Sequence, residues 1–415
     1  MTEGNFLNKL FKNIFYLHLV SITILVIVLA IRSILSASHT HHFDTQDWYL
    51  PVLVSTAFAA IAGFAWQALT AFNPLRTMKV AFWLSPLLIG LVGFLLVSIG
   101  TTGSLVAAAI AVVSAVTQSL YWCWVQPRLE HAGQILLLSI AIPPQIATGV
   151  AFLSIITCTL YSSLLFFGIG GATATNTSWD ILFIFAILLS LTWTAHIIKN
   201  TQQVAISHIK YMQLTYGLEI GTIMAFKNTF KHSIGTICIG SILVPVICVI
   251  RGSSRAISMV SKDADEFMFS CTSCYSAIAS RLVAYGNRWG FVHIGLHNKG
   301  IVQSSKNIWE MFQRAGIEQL INSDLTSSFC FLSGTAGGAA CALLGGSWAL
   351  MSRRNYATEV SIYTFLSGYF MIRVAMSWIQ AGVSAYYVAY AENPQNQKFD
   401  CTIPKFIEEL QRSRV

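Results

Sequence analysis

VAFWLSPLLIGLVGFLLVSIG, residues 80–100, carries no ionisable side chain over the roughly 20 residues that one helix needs to cross the hydrocarbon of a bilayer. The run Ser104–Trp122 repeats the pattern. Over the 415 residues 55% of side chains are hydrophobic and 10% are charged, too few polar groups to coat a soluble globule of that size. Barrel strands would show weak alternation in ten-residue segments, whereas unbroken apolar runs favour helices, which satisfy their backbone internally. The chain therefore reads as an all-α polytopic membrane protein of about ten transmembrane helices, with a cytosolic amphipathic linker before the last two.

The net charge of +8 would suggest nucleic acid in a soluble protein, but here the basic residues cluster between apolar runs, a pattern that encodes topology. Lys9, Lys12, Arg76, Lys79 and Arg128 are then cytosolic, while 39–47 and 170–180 lack Lys and Arg and face outside. Asn176 opens a glycosylation sequon in the second of these loops. The first run, Ile14–Leu35, exceeds the 7–15 residues usual for the apolar part of a signal peptide and reads as an uncleaved span.

Simple alternation leaves one crossing missing, because it would put 251–321, the densest basic segment, outside. The polar segment 196–221 supplies the crossing if other helices surround it. The chain then divides into helices 1 to 8 within 1–250, a basic cytosolic linker at 251–321, helices 9 and 10 within 322–391, and a cytosolic tail at 392–415. The rival reading leaves 199–227 as a loop, splits the last span, and puts the basic linker outside.

No nucleotide-binding, zinc-protease or nucleophile-elbow pattern stands in a credible context, so neither an enzyme nor a cofactor is expected. Cys271 and Cys274 with His293 and His297 have zinc-type side chains, but their spacing departs from a finger, and no metal site is assigned. Cys123, Cys158, Cys238, Cys248, Cys330 and Cys341 fall in or beside apolar runs and read as packing residues. The glycines from Gly334 to Gly346 read first as close helix contacts and second as a moving gate. Aromatic rings beside neutral polar groups can hold an organic cation without a carboxylate. On that chemistry Trp193, Asn200, Tyr211 and Tyr216, with Tyr121 and Trp122 of the fourth span, are the candidate substrate residues, Gln203 lies among them, and His208 and Glu219 are candidates for carrying a proton.

NRWGFVHIGLHNKGIVQSSKN, residues 287–307, resembles the signature of the choline transporter-like family: Asn287, Trp289, Ile294, Lys299, Ser304, Ser305 and Lys306 occupy the matching positions, whereas His297 stands where an aromatic residue is usual and Asn298 where glycine is. Asn tolerates left-handed backbone, so a glycine-like turn at Asn298 is expected to survive. KHSIGTICIGSILV, residues 231–244, and the run into Tyr390, Ala391 and Glu392 extend the resemblance over roughly 180–395. It is similar to the compact plant or fungal form. The resemblance implies a ten-span transporter of choline or a related cation such as ethanolamine, working without ATP by alternating access, with proton exchange in some members. The partners expected are a small organic cation and membrane lipids, not nucleic acid, and the location is the plasma membrane or, alternatively, an endomembrane. The competing class is a non-transporting scaffold, trafficking factor or lipid scrambler. The signature stretch itself reads as an interfacial segment at the cytosolic face, away from the substrate.

Overall fold

The computed structural model describes residues 3–37, 44–140, 145–175, 177, 179–260, 275, 277–279, 281–396 and 399. Among them every regular element is helical and none is a strand. Nine helical segments are long and apolar enough to cross a membrane, which bears out the all-α polytopic class. The cysteine pair 271 and 274, the sequon residue Asn176, the histidines of 39–42 and the end of the tail lie outside the described residues.

Two compact units emerge, one made of His18–Lys199 with Ser323–Gln380 and one of Met1–Leu17, Asn200–Asn322 and Ala381–Val415. The larger is built from α2 (Thr45–Phe72), α3 (Pro74–Ile99), α4 (Thr102–Val125), α5 (Leu129–Ile140), α6 (Gln145–Thr175), α13 (Thr326–Ser352) and α14 (Arg354–Ala375), with most of α1 (Glu3–Ala37). Its core is largely apolar, and so is its outer surface. Ser55, Thr56, Ser85 and Gln118 are buried, while Leu105, Ile110, Val113 and Leu120 of α4 point outward, as a helix against lipid requires. Ser85 donates to Gln118 Oε1 at 2.6 Å, so the interior hydroxyl has a partner.

The glycines of α13 are spent on contact. A methyl group at Gly338 would lie 2.7 Å from the Phe365 carbonyl oxygen, and one at Gly368 would lie 2.7 Å from that of Gly337. Only the missing Cβ allows α13 and α14 this approach, which supplies van der Waals contact that the hydrophobic effect cannot supply in lipid. At one face of this unit Arg353 pairs with Asp44 at 3.2 Å and Asp47 at 3.1 Å, and Arg354 donates to the Ile99 carbonyl at 2.9 Å. The start of α2, the end of α3 and the α13–α14 junction thus share a face.

α7 (Asp180–Tyr216) runs for 37 residues without interruption and passes from the larger unit to the smaller at Lys199. At 1.5 Å per residue it is about 55 Å long, well beyond a hydrocarbon core of about 30 Å. The polar half expected to recross the membrane has no turn before it. It continues the same helix, so it is not an additional crossing.

The smaller unit contains that second half of α7, then α8 (Thr222–Asn228), a π turn (Thr229–Ser233), α9 (Ile234–Val260), α10 (Gly290–His297), α11 (Ile301–Arg314), α12 (Glu318–Ser323) and most of α15 (Ser377–Glu392). Here the chain returns along α9. Gly286 abuts Leu243 and Ile247, the Phe291 ring abuts Gly240, and Ser233 Oγ donates to Asn298 Oδ1 at 3.3 Å. As residue number rises from 286 to 298 its partner falls from 247 to 233, so the return is antiparallel. The stretch expected to float at the interface is instead buried against a spanning helix, with Phe291 and Ile294 almost fully covered. Residues 252 and 299 consequently stand at opposite ends of α9, and the expected linker 251–321 is divided between them.

α1 marks which end is which. Asn8 Nδ2 donates to the His232 carbonyl at 3.0 Å and its Oδ1 accepts from the Thr236 N–H at 3.0 Å. A π turn disturbs the i→i−4 ladder, and this one amide serves a carbonyl and an N–H at the disturbance. The beginnings of α1 and α9 therefore lie together, with Asn298 at the same end.

Candidate functional site

From Asn200 to Tyr211 α7 is buried at every position except His208, including Asn200, Thr201, Gln202, Gln203, Ser207 and Lys210. A polar helix covered all round is enclosed by protein, not lipid. Its partners come from three directions within the smaller unit. Asn200 Nδ2 donates to Ser241 Oγ of α9 at 2.9 Å, Gln203 Nε2 donates to the Arg288 carbonyl at 3.2 Å, and the Tyr211 hydroxyl donates to the Glu392 carboxylate at the end of α15. Gly295 of α10 closes against the backbone of Val204 and the side chain of His208, where an added Cβ would lie 3.0 Å from the Val204 carbonyl oxygen.

The amide groups are not fully used. Asn200 Oδ1, Gln203 Oε1, both polar atoms of Gln202 and the hydroxyl of Ser384 are buried without a protein hydrogen bond among the described residues. A buried polar atom lacking a partner costs about 1–3 kcal/mol, and natural interiors hold few of them. Asn200, Gln202 and Gln203 place four such atoms close together on one helix.

The Arg288 carbonyl is available because the return is broken. Residues 281–285 are helical, Gly286–Trp289 are not, and α10 starts at Gly290. Asn287 closes both broken ends: its Nδ2 donates to the Val283 carbonyl at 3.1 Å and the Ser305 carbonyl at 3.1 Å, and its Oδ1 accepts from the Gly290 N–H at 3.0 Å. The Asn287 N–H donates to Ser305 Oγ at 3.2 Å. Trp289, edge-on to Phe312 with centroids 5.7 Å apart, carries the Arg288 guanidinium 4.8 Å from its ring centre. The far end of α10 closes at Asn298, with φ 51° and ψ 36°, the left-handed turn expected where this residue replaces glycine. Asn287→Ala would strip a side-chain partner from two carbonyls and one N–H. A loss of about 3 kcal/mol or more is expected, read as a clear fall in the melting temperature of the purified chain, with Asn287→Asp recovering only the Gly290 contact.

The residues picked from sequence are not gathered in one unit. Asn200, Tyr211 and Tyr216 belong to the smaller, but Tyr216 is 62% exposed and reaches Tyr211 only edge-on, with centroids 6.5 Å apart. Trp193, Tyr121 and Trp122 belong to the larger. Trp193 packs 5.0 Å from His18, whose Nε2 lies 2.8 Å from Ser190 Oγ. Tyr121 stacks on Phe82 and its hydroxyl is 2.7 Å from Ser328 Oγ, and Trp122 packs between Phe82 and Trp83. Of the proton candidates, His208 is half-buried and Glu219 is exposed in the 217–221 connection. Gln202, Ser241, Arg288 and Ser384 were not singled out. Gln202 could have been, as an amide inside a polar helical stretch of a membrane chain, but the value of Arg288 lies in its backbone and has no side-chain signature.

A family model described as the plasma-membrane choline transporter matches residues 80–395. Protein PNS1 of Gibberella zeae is 27% identical over 222 residues, covering 50% of this chain and 41% of that protein. Protein PNS1 of Yarrowia lipolytica is 26% identical over 263 residues, 59% of this chain and 45% of that protein. Protein pns1 of Aspergillus fumigatus is 23% identical over 228 residues, 50% and 42% respectively. The matches thus span less than half the length of these relatives.

Proposed function

We propose a function from one premise: the chain belongs to the plasma-membrane choline transporter family. It is an integral multi-pass membrane protein of a transporter family. Our reading is that it carries choline or a related small ammonium, ethanolamine included, across the plasma membrane by alternating access, without enzymatic chemistry.

The observation that supports this reading is the buried polar half of α7 with its incompletely bonded amides. A quaternary ammonium offers no hydrogen-bond donor, so choline needs oxygen acceptors for its hydroxyl and positive edge, and aromatic faces for its methyl groups. Asn200 Oδ1 and Gln203 Oε1 are such acceptors, and Gln202 offers both a donor and an acceptor. Tyr211 supplies an aromatic face worth about 0.5–2 kcal/mol to a cation. In this scheme Gln203 and the Arg288 carbonyl form the wall of the path at the broken return, following the general pattern in which interrupted helices expose polar backbone only where they line a site. Trp193, packed on His18 within the larger unit, is proposed as a separate aromatic contact for a cation. His208 and Glu219 are proposed proton carriers, Tyr121, Trp122 and Tyr216 auxiliary rings, and Asn176 a glycan acceptor.

The test is uptake of radiolabelled choline into proteoliposomes holding the purified chain. Saturable uptake, competed by ethanolamine and reduced at least ten-fold by Tyr211→Leu combined with Asn200→Leu, is expected. Absence of saturable flux with either cation would sink the transport reading and favour a scaffold.

A further inference from the structure

A second polar feature lies away from the α7 face, still within the smaller unit. Lys12 and Tyr16 of α1, with Phe226 and Lys227 of α8 and Phe230 and Lys231 of the π turn, line a cavity of about 490 Å³. Residues four apart lie on one helix face, so Lys12 sits above Tyr16, and Lys227–Lys231 runs beside Phe226–Phe230. Each wall therefore offers cations next to rings. The Asn8 contacts to His232 and Thr236 hold the two walls together one turn from Lys12.

The side chains of Lys12, Lys227 and Lys231 border this largely apolar opening, and no carboxylate lines it. Among the described residues the ion pairs engage Lys306, Arg314 and Arg353, and none engages Lys12, Lys227 or Lys231. Unopposed like charges around one cavity repel until an anion enters. Its walls are equally specific: Tyr16 is 37% and Phe230 44% exposed, a large apolar outlay for a site that took only a free inorganic ion. The cavity also sits near the beginnings of two apolar spans, Phe6–Ser33 and Thr222–Ser254. By the basic-residue rule that end is cytosolic, the side where anionic lipids concentrate.

We propose that this cavity binds the phosphate-bearing headgroup of an anionic phospholipid from the cytosolic leaflet. The lysines meet the phosphate, and Tyr16, Phe226 and Phe230 flank the glycerol and the first carbons of an acyl chain. A lipid held there ties the beginnings of α1 and α9 together and reinforces Asn8.

The experiment is thermal melting of the full purified chain in phosphatidylcholine nanodiscs, with phosphatidylserine or a phosphatidylinositol phosphate titrated in, and with a soluble inositol phosphate in a separate arm. Anionic lipid is expected to raise the melting temperature. A basic side chain near an anionic surface contributes enough that its loss weakens apparent binding about five-fold, so Lys227→Gln should shift the titration by that factor and Lys12→Gln/Lys227→Gln/Lys231→Gln should abolish it. Lys306→Gln, exposed on α11 outside the cavity, should leave it unchanged. A full lipid response in the triple variant, equal loss with Lys306→Gln, or reproduction of the shift by soluble inositol phosphate alone would each overturn the proposal. Should the triple variant not fold, the exposed single change Lys227→Gln decides the question.

Discussion

A cysteine placed at Gly252 and one placed at Lys299 are expected to react with a membrane-impermeant reagent from opposite sides. On intact cells the Gly252→Cys variant should label and Lys299→Cys should label only after permeabilisation, each in a background without the nine native cysteines. The expectation comes from one helix. Residues 286, 291 and 298 descend α9 past 247, 240 and 233, and the start of α9 is stitched to Asn8, five residues into α1. With Lys9 and Lys12 cytosolic by charge, Lys299 is cytosolic and Gly252 is not. A side chain added at Gly252 meets nothing within 4 Å, so the substitution is structurally mild. The outcome is all or none, and the opposite-sidedness does not depend on absolute orientation: labelling of both positions from one side would overturn the antiparallel return.

This return has the geometry of a crossing that hydropathy counting misses. The nine long apolar segments among the described residues do not include it. The nine are visible in sequence because each is a continuous window of apolar side chains, and burial of such a window needs no knowledge of its neighbours. The return is not, because Gly286–Trp289 interrupt the helix and Arg281, Arg288 and His293 lower its apolar average. Charge counting then misleads. Arg251 and Lys299 look like members of one basic cluster when only their separation along the chain is considered, yet α9 and its return hold them apart.

The site divides in the same way. That α7 turns polar after Lys199 is plain from the letters, and so is the readiness of Asn298 to take a left-handed turn. Which aromatic ring is free to meet a cation is not, because it depends on contacts between residues far apart in the chain. Tyr211 is held through its hydroxyl by Glu392 with its ring face outside that bond, Trp193 packs on His18, and Tyr216 is largely exposed. Family signature residues become intelligible only in three dimensions, where Asn287 and Ser305, separated by 18 positions, bond through both side chain and backbone.

Gln202→Leu is expected to leave the chain at least as stable as before and to reduce saturable choline uptake by at least ten-fold. The two halves of that statement rest on one observation, that Gln202 is fully buried while neither polar atom of its amide meets a protein partner among the described residues. If the amide served only the fold, it would be a liability: replacing an unpaired buried amide with an apolar group of similar volume removes a desolvation cost of about 1–3 kcal/mol. Melting temperature should therefore hold or rise. A substrate path accounts for keeping such a residue, because the amide then finds its partner in the transported cation's hydroxyl or in the water that accompanies it, and removing it costs function alone. Asn287→Ala provides the contrast, since every polar atom of that side chain is engaged and its loss should lower stability and uptake together. Were Gln202→Leu to melt earlier and transport in proportion to the folded fraction, the amide would be a structural group and the polar face of α7 would have to be moved off the substrate path.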